Sequence, residues 1–303
     1  MSSTAPFLRY VVVSPVKDEE RFIQLTLDSM VSQSVAPQRW VIVDDGSKDR
    51  TAEVVRAYAL RYPYIQLVAH VRAGQRHPGS RVIHAFNAGY AAVQSLDFEV
   101  VVKLDCDLTF GEHYFSELLG RFRTDPQLGI ASGIYLEADG NARWHPVAMP
   151  AYHAFGACKA VRRRCFEDIN GFLTVPGWDT VDEIRAWTAG WKTRHFVDLE
   201  ARHHRREGSG IGRLRTSLMH GQIFYRTGGD PLFLLFKIVH RLRARPFLLN
   251  AMALTAGYLR ARLTRRPMLV SAGEARCYRH LLRRRLLARV RGLRPFLPMA
   301  SRP

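Results

Sequence analysis

Short apolar runs alternate with longer amphipathic segments along the first half of the chain. The runs at 10–14, 40–45, 65–70 and 100–105 are apolar at almost every position, which predicts buried β-strands. The segments between them repeat apolar residues every three or four positions and predict helices. This alternation predicts an α/β fold, a mostly parallel sheet flanked by helices on both sides.

The second half of the chain has a less regular pattern. Two further strands are predicted, at 128–137 and 153–163. Residues 181–197 predict a helix that stops at Gly190 and a strand after it. Beyond Pro231 the chain is helical in character, apolar and basic. We therefore predict an α/β domain over residues 1–230 and a helical, Arg-rich C-terminal extension over residues 231–303.

Positive charge is concentrated in that C-terminal extension. The 303 residues carry a formal net charge of +18, with 47% hydrophobic residues, as in a soluble globular protein. From Arg241 to Pro303 there are sixteen arginines and one acid, Glu274. The front of the chain is therefore close to neutral, and the charge implies a partner for the C-terminal extension.

Targeting signals and metal-binding cysteine motifs are not evident in the sequence. The N-terminal MSSTAPFLRY has no basic segment followed by an apolar run, and no stretch reaches the roughly 18 uncharged apolar residues of a membrane span. The four cysteines form no CxxC pair, which favours reduced thiols. We expect a cytoplasmic protein, compatible with a peripheral position on the inner face of the plasma membrane.

Paired carboxylates follow two of the predicted strands. Asp44 and Asp45 end one strand, and Asp105 and Asp107 end another. The carboxyl ends of parallel strands form the ligand crevice of such a sheet, so both pairs are expected at one edge. Oxygen ligands suit Mg²⁺ or Mn²⁺, and such an ion clamps a diphosphate. The alternative is that the acids only cap helices and start turns.

Three segments, VVSPVKDEERFIQLTLDSMVSQ, WVIVDDGSKDRTAEVV and KLDCDL, closely resemble the family 2 glycosyltransferases of the GT-A fold. The resemblance covers about residues 8–205. It implies an inverting transferase that uses a nucleotide sugar, of the kind that builds bacterial surface polysaccharide or glycolipid. It also implies a nucleotide site formed by Pro15, Val16, Glu19, Asp44 and Asp45.

The same resemblance assigns the metal and diphosphate site. Asp105 and Asp107 match the DxD motif of the family, with Asp107 as the direct ligand of Mg²⁺ or Mn²⁺ and Asp105 at the donor. A third ligand is implied in the segment EARHHRREGSG, His204 or its neighbour His203. Arg205 or Arg206 is a candidate diphosphate clamp. The alternative for this segment is a basic surface loop.

The stretch GWDTVDEIRAWTAGWK resembles the acceptor-side acid motif of the family. Asp179 falls on its second acid, while Trp178 stands where the family has Glu. A catalytic base must be a carboxylate within hydrogen-bond reach of the acceptor hydroxyl, and Asp179 is our candidate. Asp182 and Glu183 stay open as alternative bases, or as residues on a solvated helix face.

The loop RAGQRHPGSRVIHAFNAG resembles another family region, G-x-S-x-A-R-N-x-G. The matching positions are Gly79, Ala85, Asn87 and Gly89. Phe86 replaces the arginine of the family, and Arg76 or Arg81 is the candidate replacement. The donor is expected to be a UDP-sugar, with GDP-sugars also compatible. The acceptor is expected to be a glycan or a lipid-linked glycan; a polyprenyl-phosphate acceptor or a non-catalytic nucleotide-sugar-binding role is the alternative.

The segment CYRHLLRRRLLARVRGL places apolar residues, the last of them Leu293, near one helical face among arginines. A basic amphipathic helix of this kind can lie on an anionic membrane surface. Phe233–Phe236 and Phe247–Leu259 add apolar area. The alternative is a helical subdomain packed on the catalytic domain. No recognition motif for nucleic acid is present, so nucleic acid is not an expected partner.

Overall fold

A computed structural model of the protein describes residues 7–70, 80–205, 212–242 and 247–290. The strands are β1 (Tyr10–Val16), β2 (Arg39–Asp44), β3 (Ile65–Ala69), β4 (Val100–Leu104), β5 (Leu108–Phe110), β6 (Leu128–Ala138), β7 (Trp144–Pro146), β8 (Cys158–Arg162) and β9 (Lys192–His203). The helices are α1 (Ile23–Val31), α2 (Thr51–Arg61), α3 (Ser80–Ala91), α4 (Tyr114–Thr124), α5 (Arg163–Asp168), α6 (Trp178–Thr188), α7 (Arg213–Arg226), α8 (Pro231–Leu242), α9 (Phe247–Leu263) and α10 (Ala272–Val290).

One mixed sheet forms the centre of the described structure, in the order β3-β2-β1-β4-β8-β6-β9-β5, with β7 paired to β6. The first four strands of this order are parallel. The side chains of β1, β2 and β4 are buried on both faces, as their mostly apolar sequences predict, whereas the edge strand β3 is partly exposed. Val16 pairs with Asp44, so the ends of β1 and β2 lie side by side.

The second half of the sheet is mixed, with β6 and β9 parallel and the other pairs antiparallel. β8 runs antiparallel to β4, with Leu104 opposite Cys158. After β4 the chain turns and returns as β5, which pairs antiparallel with β9 and sets Leu108 opposite His203. The end of β9 is therefore brought to the turn that carries Asp105 and Asp107.

The structure differs from the predicted elements in three places. The segment after β1 is helical only from Ile23, where α1 begins, and the residues before it form a turn in which Asp18 has φ 54°. The strand expected over 153–163 is confined to β8, and α5 follows it directly. β5 and β7 have three residues each, too few for an alternating pattern to be recognised.

The C-terminal helices pack closely on one another. A Cβ added at Gly221 of α7 would lie 2.0 Å from Leu254 O of α9, and one added at Gly257 would lie 2.0 Å from Leu218 O. The two backbones approach this closely only because both residues are glycine. α7 lies before residue 230 and yet packs on α9, and the domain boundary at residue 230 stays a prediction.

α10 joins this helical region to the α/β domain. It packs on α6, and Tyr278, Leu281 and Leu282 are buried there. Within the described ranges, no helix has both the length and the apolar character needed to cross a bilayer.

Candidate functional site

The turns after β1 and β2 interlock at the carboxyl edge of the sheet. The Asp45 N–H donates to Val16 O (2.9 Å), and Lys17 Nζ donates to Asp45 O and Gly46 O (2.9 and 3.0 Å). Asp44 Oδ1 accepts the N–H of Ser47 at 2.9 Å. Gly46 has φ 75°, a left-handed conformation that suits glycine in a tight turn. These contacts fix the edge where the predicted nucleotide residues lie.

Glu19 connects this edge to the loop after β9. Its backbone N–H donates to Thr51 Oγ1 at 2.8 Å, which anchors the turn to the start of α2. Its carboxylate accepts a 2.5 Å hydrogen bond from Arg205 Nη2. Burial raises the pKa of Glu19 to about 7, with Arg205 opposing the shift and Asp107 and Asp105 adding to it.

Asp105 forms an ion pair with a buried lysine. Lys103 Nζ is 2.5 Å from Asp105 Oδ1 and also donates to Gly156 O at 3.0 Å. The Asp105 N–H donates to Ala157 O at 2.7 Å, so the residue just before β8 holds the turn in place. Burial raises the pKa of Asp105 in spite of Lys103, and the neighbouring Asp107 carboxylate adds to the shift.

Asp107 faces the end of β9. Its Oδ2 lies 3.4 Å from His203 Nε2 and 3.7 Å from Arg205 Nε. Burial alone would raise the pKa of Asp107, but His203 and Arg205 outweigh it and lower the pKa. Burial likewise opposes the charged form of His203, and the Asp107 carboxylate outweighs it and raises the histidine pKa. His203 Nδ1 is 3.7 Å from Glu137 Oε1.

Two buried polar atoms of this pair have no hydrogen-bond partner among the described residues: Asp107 Oδ1 and His203 Nδ1. Buried polar atoms are normally paired, so an unpaired carboxylate oxygen is a candidate ligand atom. In the described ranges, no group of three or more His, Cys, Asp or Glu side chains is assembled to hold a metal ion. Mg²⁺ sites often use one or two carboxylates, with substrate phosphates as the other ligands. The donor set here fits that kind of site.

The side chain of His204 lies elsewhere. Its Nε2 is 3.1 Å from Thr109 Oγ1, and its ring stacks on Phe22 with the centroids 6.0 Å apart. The Trp144 ring packs on the same His204 ring at an interplanar angle of 83°, with the ring centroids 5.3 Å apart. Burial lowers the pKa of His204. Of the two candidate histidines, His203 is therefore the one that contacts the Asp107 carboxylate.

The candidate base Asp179 lines a cavity of about 430 Å³ between the α/β domain and the helical region. α6 begins next to it, after Gly177 with φ 91°, and Asp179 is the acid of its first turn. A carboxylate is stabilised at a helix N-terminus. Other residues that line the cavity are His153, Trp178, Met219, His220, Phe224, Lys237 and Tyr278.

The alternative bases Asp182 and Glu183 are fully buried, so their interpretation as a solvated helix face is wrong. Asp182 Oδ2 is 2.9 Å from Lys159 Nζ. Glu183 accepts the N–H of Ala154 at 2.7 Å and lies 3.1 Å from His153 Nδ1. Burial raises the pKa of Asp182 to about 7, with Lys159 opposing it. Both carboxylates belong to a buried ionic network behind the cavity.

Trp178, which replaces the family's glutamate, lies between two buried lysines. Its ring centroid is 5.5 Å from Lys103 Nζ and 5.1 Å from Lys159 Nζ, within the range of cation–π contacts. Neither lysine was among the predicted site residues. The available signal was a lysine inside each of two apolar strands, VVVKL of β4 and CKAVR of β8.

Phe86, which stands where the family has an arginine, and the candidate replacement Arg81 lie in different surroundings. Phe86 is buried among aromatic rings, 5.0 Å from the ring of Phe172 between centroids. Arg81 Nε lies 3.2 Å from Asp45 Oδ2, at the nucleotide edge. Three residues named from the sequence, Gly79, Arg76 and Arg206, lie outside the described residues, as does Leu293 of the tail.

Curated relatives match only part of the chain. The uncharacterized glycosyltransferase YibD of Escherichia coli is 27% identical over 89 residues, 29% of this chain and 26% of that protein. Poly-beta-1,6-N-acetyl-D-glucosamine synthase of Staphylococcus epidermidis is 25% identical over 116 residues, 38% of this chain and 26% of the synthase. The chain thus matches about a quarter of the length of these relatives.

Solved structures resemble it over most of its length. The mannosyltransferase PcManGT from Pyrobaculum calidifontis, in complex with GDP-Man and Mn²⁺, gives a TM-score of 0.56 at 19% identity, covering 94% of this chain and 84% of that one. S. aureus TarS 1–349 in complex with UDP-GlcNAc gives 0.54 at 16% identity, covering 89% and 78%. These similarities confirm the predicted GT-A fold.

The family model for glycosyl transferase family 2 matches residues 11–175, more than half of the chain. The matched range contains the interlocked turns, the DxD turn and β8. The family and class of enzyme predicted from the sequence are confirmed: the chain belongs to glycosyl transferase family 2, a family of glycosyltransferases.

Proposed function

We propose that the protein transfers a sugar from a nucleotide-diphosphate donor to a hydroxyl of a glycan or glycolipid, with inversion at the anomeric carbon. The observation that carries the proposal is the buried Asp107 carboxylate, whose unpaired Oδ1 lies at the sheet edge beside His203 and Arg205. Its setting at the carboxyl ends of parallel strands is where such folds bind nucleotides. Bacterial surface polysaccharide synthesis is the proposed context, in line with the synthase relative.

The donor nucleotide is assigned to the interlocked turns. Pro15 and Val16 end β1 beside Asp44, and Asp45 and Glu19 face the same edge. The two similar structures described above are complexes with GDP-Man and with UDP-GlcNAc. A UDP-sugar is the favoured donor, and a GDP-sugar is compatible with the same turns.

Mg²⁺ or Mn²⁺ is the proposed cofactor, with Asp107 as its ligand and Asp105 at the donor. The contact between His203 and Asp107 favours His203 over the His204 first expected as the second protein ligand. When bound, the cation supplies charge neutralisation for the departing diphosphate. Arg205, now bonded to Glu19, is positioned to bind a diphosphate oxygen instead.

Asp179 is the proposed general base. It lines the cavity, whereas Asp182 and Glu183 are committed to Lys159, Ala154 and His153. A carboxylate in the cavity can take the proton of an acceptor hydroxyl as its oxygen attacks the anomeric carbon. The bond to the diphosphate breaks on the opposite side of the sugar, and the nucleoside diphosphate leaves.

The test is nucleoside diphosphate release from UDP- and GDP-sugars with Mn²⁺, using bacterial lipid extract and polysaccharide as acceptors. Asp179→Asn should keep donor binding and lose turnover by about 10²–10⁴-fold, the usual contribution of a general base. Asp198→Asn, an exposed aspartate paired with Arg121, is the matched control and should keep wild-type turnover. Wild-type turnover by Asp179→Asn would contradict the assignment of the base.

A polyprenyl-phosphate acceptor is the second candidate. His220 and Lys237 line the same cavity as Asp179, and such side chains suit an anionic acceptor. Sugar label that enters the organic phase at one sugar per lipid would support it. Label that stays in the aqueous glycan would support the first candidate, and donor binding without turnover would support a non-catalytic role. We propose a cytoplasmic location, compatible with a peripheral position on the inner face of the plasma membrane.

A further inference from the structure

The tail helix expected to contact a membrane has its apolar face occupied. Tyr278, Leu281 and Leu282 of α10 are buried against the rest of the protein. Its arginines also make internal contacts: Arg283 Nε lies 2.5 Å from Asp230 Oδ2, and Arg285 Nη1 donates to Tyr152 Oη at 2.8 Å. For α10, the structure therefore shows the alternative considered in the sequence analysis, a helix packed on the rest of the protein.

α8 instead exposes an apolar row. Leu232, Leu235, Phe236 and Val239 are 62%, 58%, 46% and 45% exposed. Their spacing of i, i+3, i+4 and i+7 puts them on one side of the helix. Leu234, on the other side, is buried in the cluster that holds the helical region together. A row of large apolar side chains on one face of a packed helix usually marks an interaction surface.

α9 carries a second exposed row. Its members are Leu248, Met252, Leu259 and Leu263, which are 65%, 63%, 45% and 81% exposed. Their spacing also keeps them on one side of the helix. The opposite side packs on α7 through Gly257 and the buried Leu254. α9 contacts α8, and we call the two rows together the α8–α9 face.

The charge around the α8–α9 face identifies its partner. Residues 231–266 contain eight lysines and arginines and no acid. Two copies that met through this face would bring like charges together, because a two-fold interface pairs the same surface with itself. Exposed large apolar side chains among basic ones are the composition of helices that lie on anionic lipid.

We propose that the α8–α9 face docks on the surface of an anionic lipid bilayer. The apolar rows enter the boundary between headgroups and acyl chains, and the exposed Arg260, Arg262, Arg265 and Arg266 face the lipid phosphates. This inference goes beyond the proposed reaction and does not depend on it. Lys237 of α8 also lines the cavity that holds Asp179, so docking through α8 would bring that cavity close to the bilayer surface.

The experiment is co-sedimentation of the full chain with two kinds of vesicle, pure phosphatidylcholine and phosphatidylcholine with phosphatidylglycerol. The variant combines Leu232→Ser, Leu235→Ser and Phe236→Ser. Leu60→Ser, which removes an 88% exposed leucine of α2, is the matched control. We expect the wild type and the control to bind the anionic vesicles at least about tenfold more tightly than neutral ones, and the triple variant to lose at least about tenfold.

Three results would overturn the proposal. The triple variant could still bind anionic vesicles, or the wild type could fail to bind any vesicle. The wild type and the control could also form a dimer that is lost only in the triple variant. The last would show that a second copy occupies the face. Circular dichroism and melting temperature check the fold of the triple variant. Met252→Ser with Leu263→Ser repeats the test on the α9 row, where retained binding would equally contradict the proposal.

Discussion

His203 Nε2 lies 3.4 Å from Asp107 Oδ2, and the pairing of the short strand β5 with the end of β9 brings the residues together. β5 starts directly after the DxD turn, and its Leu108 lies opposite His203 in β9. The neighbouring His204 points to Thr109 and Phe22 instead. His203 is the last residue of β9 and His204 lies just beyond it, so the end of the strand turns only one of the two side chains toward the carboxylate.

This relationship predicts different effects for the two histidines. His203→Asn should weaken Mn²⁺-dependent nucleotide binding by about tenfold or more, as loss of a residue that binds or orients at a metal site usually does. His204→Asn is the matched control and should change it much less. Isothermal titration of UDP and GDP, with and without Mn²⁺, measures both. A larger loss in His204→Asn than in His203→Asn would contradict this arrangement.

The contact between His153 and Glu183 predicts a pH-dependent stability. Burial opposes protonation of His153, but the Glu183 carboxylate outweighs burial and raises its pKa; Lys159 opposes this and Asp179 supports it. A raised folded-state pKa contributes stability that is complete below about pH 6.5 and is lost as pH rises through the raised value.

His153→Gln should therefore cost more stability in acid than in base. We expect a loss of about 2 kcal/mol at pH 6, the value of a hydrogen bond to a charged group, and a smaller loss at pH 9. Urea unfolding of both proteins at the two pH values gives the comparison. His145→Gln, at an exposed histidine paired with Asp139, serves as the control. An equal loss at both pH values would count against an ion pair.

Lys159 neutralises a buried acidic cluster. Its Nζ lies 2.9 Å from Asp182 and 3.8 Å from Glu183, and all three side chains are buried. Lys159→Met should cost about 3–5 kcal/mol of unfolding free energy, because it leaves buried carboxylates without a counter-charge. Adding Asp182→Asn should recover part of the loss. If the double variant were less stable than the single one in chemical denaturation, the pair would not be coupled in this way.

The crossing of α7 and α9 depends on Gly257. A Cβ there would lie 2.0 Å from Leu218 O, a backbone atom that cannot rotate away. Gly257→Ala should therefore destabilise the protein by about 3 kcal/mol through overpacking. Gly120→Ala in α4 is the matched control, since a Cβ there meets no atom within 4 Å and alanine favours the helix by up to about 1 kcal/mol. Equal melting temperatures for the two variants would contradict the close crossing.

Local patterns were sufficient for the α/β half of the fold. The strands β1, β2 and β4 are mostly apolar runs; Asp44 ends β2, and Asp105 and Asp107 follow β4. Parallel strands bring such residues to one edge without any further information. The choice between His203 and His204 needed the register of β5 on β9, which is set by pairing between distant segments and leaves no periodic signal in three residues.

The helical region shows the same limit. In sequence, the acids Asp182 and Glu183 predict a polar side of α6. That side is nevertheless buried, because Lys159 of β8 pairs with Asp182. Likewise α10 and α8 are both apolar and basic in sequence. Both helices pack on the protein, and α10 buries its apolar face because Tyr278 and Leu281 find partners in α6 and α7, a tertiary contact that amphipathicity alone does not encode.

The central claim is a metal-dependent nucleotide-sugar site at Asp107, and ligand-induced thermal stabilisation tests it most directly. A ligand that binds only the folded state raises the melting temperature according to its affinity and concentration. The panel contains UDP, GDP and their sugars, each with and without Mn²⁺, applied to the wild type, Asp107→Asn and the exposed-site control Asp97→Asn. We expect one nucleotide class to stabilise the wild type and the control only when Mn²⁺ is present, and Asp107→Asn to show no such shift. No stabilisation of the wild type, or an equal Mn²⁺-dependent shift in Asp107→Asn, would contradict the claim.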